Sequence, residues 1–252
     1  NGLQEGRMLA NDYRSSYTKP DETHNRSTML NLTGKHAVND TTLLAGNVYY
    51  RQINTRTLNG DVNDDALSTD FLGVAFPTNC LGAAPGDEDE ECTGKLNRSA
   101  AKQKNYGLSG QVTLLDQLLG YKNQFTSGLA YDINRTDFEQ SSEFGYVNPD
   151  RGVTGTQVFS DEAEVHLKGK TSTSSLFVTD TISLRRNWHV TLSGRYNRTH
   201  VVNQDQLQPG GAGGSLDGDY IFQRFNPAIG TTDAWTPLLS AYVGDNEGNR
   251  TP

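Results

Sequence analysis

The sequence predicts an all-β protein, an antiparallel up-and-down transmembrane β-barrel segment of about nine or ten strands, mostly paired as hairpins. Three observations predict it. Residues 42 to 57, "TLLAGNVYYRQINTRT", alternate apolar and polar side chains for longer than the five or six residues of an ordinary strand, and cover the roughly 9–11 that a tilted strand needs to cross a bilayer. Runs of this kind are joined by connections that are alternately short and long, as in a meander that passes back and forth through a membrane. Aromatic residues gather towards the ends of the apolar faces, where interfacial girdles lie in such barrels: Tyr50, Tyr106, Tyr121, Phe125, Tyr131, Trp188 and Tyr196.

Taken in chain order, the strands sort their residues by parity, because side chains of an extended chain alternate between two faces. In "NRSTMLNLTGKHAV", Thr28, Leu30 and Leu32 share one side and Met29, Asn31, Thr33 and Lys35 the other. The turn "VNDTT" leads into the next run, where Leu44, Gly46, Val48 and Tyr50 oppose Ala45, Asn47, Tyr49 and Arg51. "NYGLSGQVTLL" and "NQFTSGLAYDINRTDF" form a second hairpin, with Tyr106, Leu108, Val112, Phe125, Leu129 and Tyr131 outward against Gln111, Asp132 and Asn134. "TSSLFVTDTISL" and "NWHVTLSGRYNRTHV" form a third, with Trp188, Leu192 and Tyr196 opposite Arg195 and Asn197. "YIFQRFNPAIG" and "LLSAYVGDNEGN" close the series. Short links are expected near 38–42, 116–122, 184–188 and 231–237, facing the periplasm, and long external loops near 58–103, 137–163 and 202–219.

The composition agrees. Of 252 residues 34% are hydrophobic and 26 are glycine, with a mean hydropathy of −0.65. That is too polar for a large ordinary core, yet it suits a wall in which only alternate residues meet lipid. No apolar run is long enough for a transmembrane helix, and the first residues carry no signal-peptide pattern. A net charge of −8 argues against a nucleic-acid partner.

Few motifs advertise chemistry. Cys80 and Cys92 bracket "CLGAAPGDEDEEC", whose five consecutive acids disfavour a thiolate pair, so a disulfide closing a surface loop is expected. "DVNDDA" places Asp61, Asn63 and Asp65 like the start of a calcium loop, but Ala66 and Leu72 stand where glycine and glutamate are needed. A looser divalent site on Asp61, Asp64, Asp65 or the "DEDEE" run competes with a simply solvated loop. His24, His36, His166, His189 and His200 lack metal-ligand spacing. "GAGGS" at 211–215 lacks the lysine and helix of a phosphate cradle, and no nucleophile elbow surrounds Ser109 or Ser193. Catalysis, a resident metal and a cofactor are therefore not expected. Asn-x-Ser/Thr triplets recur inside the strands, where alternating polar residues on a wet face produce them without glycosylation.

"LQEGRMLANDYRSSYTKPDETHNRSTMLNL", "GNVYYRQINTRTLNGDVNDD", "SLFVTDTISLRRNWHVTLSGRYN" and "RFNPAIG…NEGNRTP" resemble successive barrel strands of TonB-dependent outer-membrane receptors. The resemblance spans almost the whole chain. It implies a bacterial outer-membrane barrel of about 22 strands, plugged by a separate domain that contacts the TonB complex, which takes up a scarce ligand such as a ferric siderophore. This chain would be a middle portion of the barrel, without plug, TonB box or final strands. Alone, it should form an open, curved sheet with exposed edges. Asp245 stands at a lipid-parity position where an aromatic would suit better, so it is expected at the rim or out of register. Candidate lumen residues for ligand or plug contact are Asn47, Tyr49, Arg51, Gln111, Asp132, Asn134, Arg195 and Asn197, with the long loops as the main ligand contacts. A passive porin, a secreted β-rich binding module and a secreted β-sandwich hydrolase are the alternatives; the last lacks a convergent set of acids or a nucleophile–base pair.

Overall fold

A computed structural model describes residues 6–63, 92–211 and 213–248. After a short helix, Gly6–Asn11, these described residues form nine antiparallel strands in one sheet: β1 (Asp21–Asn39), β2 (Thr42–Val62), β3 (Gly94–Leu118), β4 (Tyr121–Val147), β5 (Val153–Phe159), β6 (Val165–Ser183), β7 (Trp188–Asp205), β8 (Gly218–Thr236) and β9 (Leu239–Asn246). Each main strand pairs with its sequence neighbour, in the order β1-β2-β3-β4-β6-β7-β8-β9, while β5 folds back on β4. This is the expected up-and-down meander. Among the described residues the sheet stays open, with β1 and β9 as its edges. No helix among them is long and apolar enough to cross a membrane, which says nothing against a wall that crosses with strands.

The turns at one end are tight. Leu119 and Gly120 link β3 to β4 with φ of 53° and 82°, the left-handed pair that matches the twist of a two-residue hairpin. Asp40 and Thr41 link β1 to β2, and residues 237 and 238 link β8 to β9. At the other end the connections are 63–93, 148–164 and 206–217, shorter than the loops expected from sequence because the strands run further. β3 and β4 have 25 and 27 residues, more than twice what a bilayer requires. Past the apolar band the outward face also turns polar, as at Gln52, Asn54 and Arg56, and the alternation that marks a strand in the sequence disappears. β5 was hidden for the same reason inside the expected loop 137–163, and the expected turn at 231–237 is mostly strand. The stretch that resembled a first strand begins as helix and loop, and strand structure starts only at Asp21.

The register fixes two faces. On one, Leu32, Val48, Leu108 and Tyr131 are successive partners across four strands, and Leu129, Leu176, Tyr196 and Phe225 continue that face. These side chains are exposed: Leu30 is 73%, Leu129 63% and Leu108 58% accessible. Two aromatic levels bound the band, Tyr121, Phe125 and Trp188 near the turns and Tyr50, Tyr106, Tyr131 and Tyr196 further up. From Tyr121 to Tyr131 the chain rises about 33 Å at about 3.3 Å per residue, or about 25 Å along the normal at a tilt near 40°, the height of an outer-membrane apolar band. Asp245 pairs with Ile229, so its register is not slipped and it lies on the apolar-parity face of the edge strand.

Among the described residues a true core exists only at the loop end. Cys92, Leu96, Phe144 and Val153 are buried there beside Thr18, Asn63 and Thr93. The Lys19 amide bonds the Arg151 carbonyl, the Val153 amide bonds the Lys19 carbonyl, and the Gly60 amide bonds Pro20, stitching the N-terminal segment and β5 to the wall. Cys92 is disulfide-bonded; Cys80, like Asp64, Asp65 and the acidic run, lies outside the described residues.

Candidate functional site

The polar face is built by the residues between those of the apolar band. Across the strands the first row runs Asn47, Ser109, Ala130, Ser175, Asn197 and Arg224; the next, Tyr49, Gly107, Asp132, Thr173 and Thr199. All eight lumen candidates from the sequence lie on this face, and the structure separates them by what they bond.

Six are tied into the wall. The Tyr49 hydroxyl donates to Asp132 Oδ1 at 2.8 Å, reaching across β3 at Gly107. A Cβ there would lie 2.1 Å from Tyr49 Cε1 and 2.4 Å from Asp132 Oδ1, so any larger residue must displace the Tyr49 ring or the Asp132 carboxylate. Arg195 donates through Nε to Asn197 Oδ1 at 2.9 Å and through its terminal nitrogen to Ser175 Oγ at 2.9 Å, while Ser175 Oγ donates to Asn197 Oδ1 at 2.8 Å. The Arg195 guanidinium carbon also stands 6.0 Å from the Phe177 ring centre. Asn134 Nδ2 donates to Asn105 Oδ1 at 2.6 Å, and Asn134 Oδ1 accepts from the Thr136 hydroxyl at 2.8 Å. Asn47 donates to Asn31 Oδ1. Hydroxyl pairs such as Thr113 with Thr126, Thr173 with Thr199 and Thr181 with Thr191, at 2.9–3.0 Å, join neighbouring strands.

The remaining two stand apart. Arg51 and Gln111 are exposed on the polar face and, among the described residues, make no side-chain hydrogen bond or ion pair. A cation and an amide held on a rigid wall with their donors free are groups that a ligand or a packed domain can use. Alternation put both residues on this face, but their lack of wall partners depends on cross-strand register, which no sequence signal carried.

On the opposite face, past the upper aromatics, Asp137, Glu139 and His166 bring one donor atom each within 4.8 Å of one another, with His166 Nε2 3.2 Å from Asp137 Oδ1. Sequence spacing gave no hint of this grouping, since pairing of β4 with β6 creates it. Register also sets Lys102 and Lys168 on either side of Asp137.

A wall with one lipid-compatible face, one wet hydrogen-bonded face and tight turns at a single end is the architecture of an outer-membrane barrel. The family described as "TonB dependent receptor-like, beta-barrel" matches residues 3–252. The chain belongs to that family. Its members are transport receptors of the bacterial outer membrane rather than enzymes. Solved structures agree in fold. The ferric citrate transporter FecA, unliganded, superposes with a TM-score of 0.64 at 11% identity over 95% of this chain and 30% of that one. The ferric-catecholate import receptor Fiu from E. coli, in its closed form, gives 0.61 at 12% over 92% and 34%. The siderophore receptor PiuA from Acinetobacter baumannii gives 0.60 at 12% over 89% and 32%. The chain thus spans about a third of the length of these receptors. Among curated proteins, none matches.

Proposed function

We propose that this receptor-family segment forms part of the wall of a bacterial outer-membrane receptor that takes up a ferric siderophore, or a similarly scarce nutrient, with energy supplied through TonB. The observation that carries this reading is the polar face, where wall-bonded side chains form a rigid frame and Arg51 and Gln111 keep free donors. Ferric complexes of carboxylate or catecholate chelators are anionic, and a fixed guanidinium in a wet lumen suits them. Arg51 and Gln111 then contact ligand or plug, while Tyr49, Asp132, Asn134, Arg195, Asn197 and Asn47 hold the wall. The tight turns face the periplasm and the loops 63–93, 148–164 and 206–217 meet ligand outside. An open sheet cannot stand in hydrocarbon with unpaired edges, so further strands of the parent complete the barrel beside β1 and β9, and a plug domain supplied by the parent reaches TonB.

The test is uptake of radioactive iron by iron-starved cells producing the complete receptor, offered ferric citrate and a ferric tris-catecholate. Saturable uptake that disappears without TonB supports the proposal. Uptake that rises linearly with concentration and ignores TonB would instead mark a passive porin. Receptor recovered without detergent in the culture medium would mark a secreted binding module.

A further inference from the structure

The apolar face changes character at one level. Reading away from the turns, the outward residues of β3 are Leu108 and Tyr106, then Lys104 and Lys102; those of β4 are Tyr131 and Ile133, then Arg135; those of β6 pass from Leu176 through Ser174 and Ser172 to Lys170 and Lys168; on β7, Tyr196 is followed by Arg198. The register makes Lys104, Arg135 and Lys170 direct neighbours on three consecutive strands. All six cations are exposed. Among the described residues none of them makes an ion pair, and only Lys168 donates a side-chain hydrogen bond, to Gln206 Oε1 at 3.2 Å.

Like charges directly opposite one another on a sheet are destabilising. Other cations of the wall do meet carboxylates: Arg98 meets Glu143 at 2.5 Å and Arg224 meets Glu247 at 3.3 Å. The Lys104–Arg135–Lys170 row lacks such a partner and has one carboxylate, Asp137, in the row beyond. It also sits just past the tyrosines whose hydroxyls mark the edge of the apolar band, where Tyr50 donates to Gln52 and Tyr196 to Gln223, each at 2.8 Å. Groups immediately beyond an aromatic girdle lie at headgroup depth.

We propose that Lys104, Arg135 and Lys170, flanked by Lys102, Lys168 and Arg198, bind the phosphate headgroup of an anionic lipid in the leaflet from which the loop end emerges. Arg135 presents a planar fork to two phosphate oxygens and the lysines on either side add compact charges. The lipid chains then lie along Tyr106, Leu108, Leu129 and Leu176. The proposal rests on the reading that this face meets lipid.

The experiment uses the complete purified receptor in nanodiscs of phosphatidylcholine with a minority of phosphatidic acid, whose headgroup is a phosphate monoester, and counts the lipids it retains by native mass spectrometry. The wild type should retain phosphatidic acid preferentially. The triple variant Lys104→Gln, Arg135→Gln, Lys170→Gln should lose that preference about tenfold or more, since each cation near a charged membrane surface is worth roughly fivefold, while Arg185→Gln with Arg186→Gln at the turn end should not. In pure phosphatidylcholine the triple variant should be at least as stable as the wild type, because like-charge repulsion has been removed. An unchanged preference, or displacement of the lipid by millimolar inorganic phosphate, overturns the headgroup site. A receptor that retains neither lipid overturns the membrane-facing reading itself.

Discussion

The band between the two aromatic levels and the cap at the loop end bury their hydrophobic residues in opposite senses. In the band Leu30, Leu108 and Leu129 point away from the sheet and are more than half exposed; in the cap Cys92 and Phe144 are 1% and 5% exposed. The same strands, β3 and β4, pass through both regions. What changes is the surrounding solvent. Where hydrocarbon is the solvent, apolar side chains lose nothing by facing out and the polar face must be satisfied by cross-strand bonds. Where water is the solvent, the chain folds a segment of itself, β5 and residues 18–20, over the apolar groups.

Substitutions should therefore act by region. The largest effect is expected for Phe144→Ala, about 3–5 kcal/mol of cap stability by loss of a buried aromatic. Hydrogen exchange in the complete receptor should quicken at the amides of Val147 and Val153 and leave the turn ends of β3 and β4 unchanged. Equal quickening in both regions would mean that band and cap are one cooperative unit. Next, Leu129→Arg places a charge in the band and should cost about 2–4 kcal/mol of stability in lipid, read by denaturant titration in vesicles. Ala130→Arg, one residue on and facing the wet side, should cost far less. Reversal of that order would exchange the two faces.

A finer comparison sets two glycines of β3 against each other. Gly107→Ala puts a methyl group into the Tyr49–Asp132 contact and should cost about 1–3 kcal/mol by overpacking, with loss of the Tyr49 bond visible in its ring resonances. Gly110 faces the apolar side with nothing within 4 Å of an added Cβ, and Gly110→Ala should be neutral to within about 0.5 kcal/mol. Equal costs would show that the hydrogen bond across Gly107 does not form in the membrane.

How much of this was legible in sequence follows the same division. Period-two alternation is strongest where one face meets oil, so the parity of Leu44 to Tyr50, Leu108 to Val112 and Trp188 to Tyr196, and of every lumen candidate, could be read directly. Beyond Tyr50 and Tyr106 both faces meet water, and selection for alternation stops. The upper halves of β2 to β4, all of β5, and the Asp137–Glu139–His166 grouping were hidden there. Within the site, residue type and spacing gave the face but not the bonding. Nothing local distinguishes Asn197, held by Arg195 and Ser175, from Gln111, held by nothing on the wall; that depends on which strand lies alongside and in what register.

The smallest expected effect concerns the described residues of the loop 206–217, which are held by hydrogen bonds more than by apolar burial. The Asp205 carboxylate accepts from the amides of Leu207 at 2.9 Å, Gln208 at 3.1 Å and Leu216 at 2.9 Å, and Asp217 returns the contact by accepting from the Asp205 amide at 2.6 Å and that of Gly210 at 2.7 Å. The amides of Leu216, Gln208 and Leu207, in that order of weight, hold Asp205 below its ordinary pKa of 3.8 against the opposing effect of desolvation. A carboxylate depressed in the folded state contributes its stability above the unfolded pKa and loses it as pH falls through the folded one. Loop order should therefore be constant from neutral pH down to about 4 and weaken only below that, as the proton displaces the amides. Hydrogen exchange at Leu207, Gln208 and Leu216, corrected for its intrinsic pH dependence, measures it. Asp205→Asn keeps one carbonyl acceptor but no charge, so at neutral pH it should loosen the loop towards the state the wild type reaches in acid, and abolish the acid transition, with the band untouched. A transition that survives in Asp205→Asn would shift the switch to Asp217, the other carboxylate that accepts backbone amides in this loop.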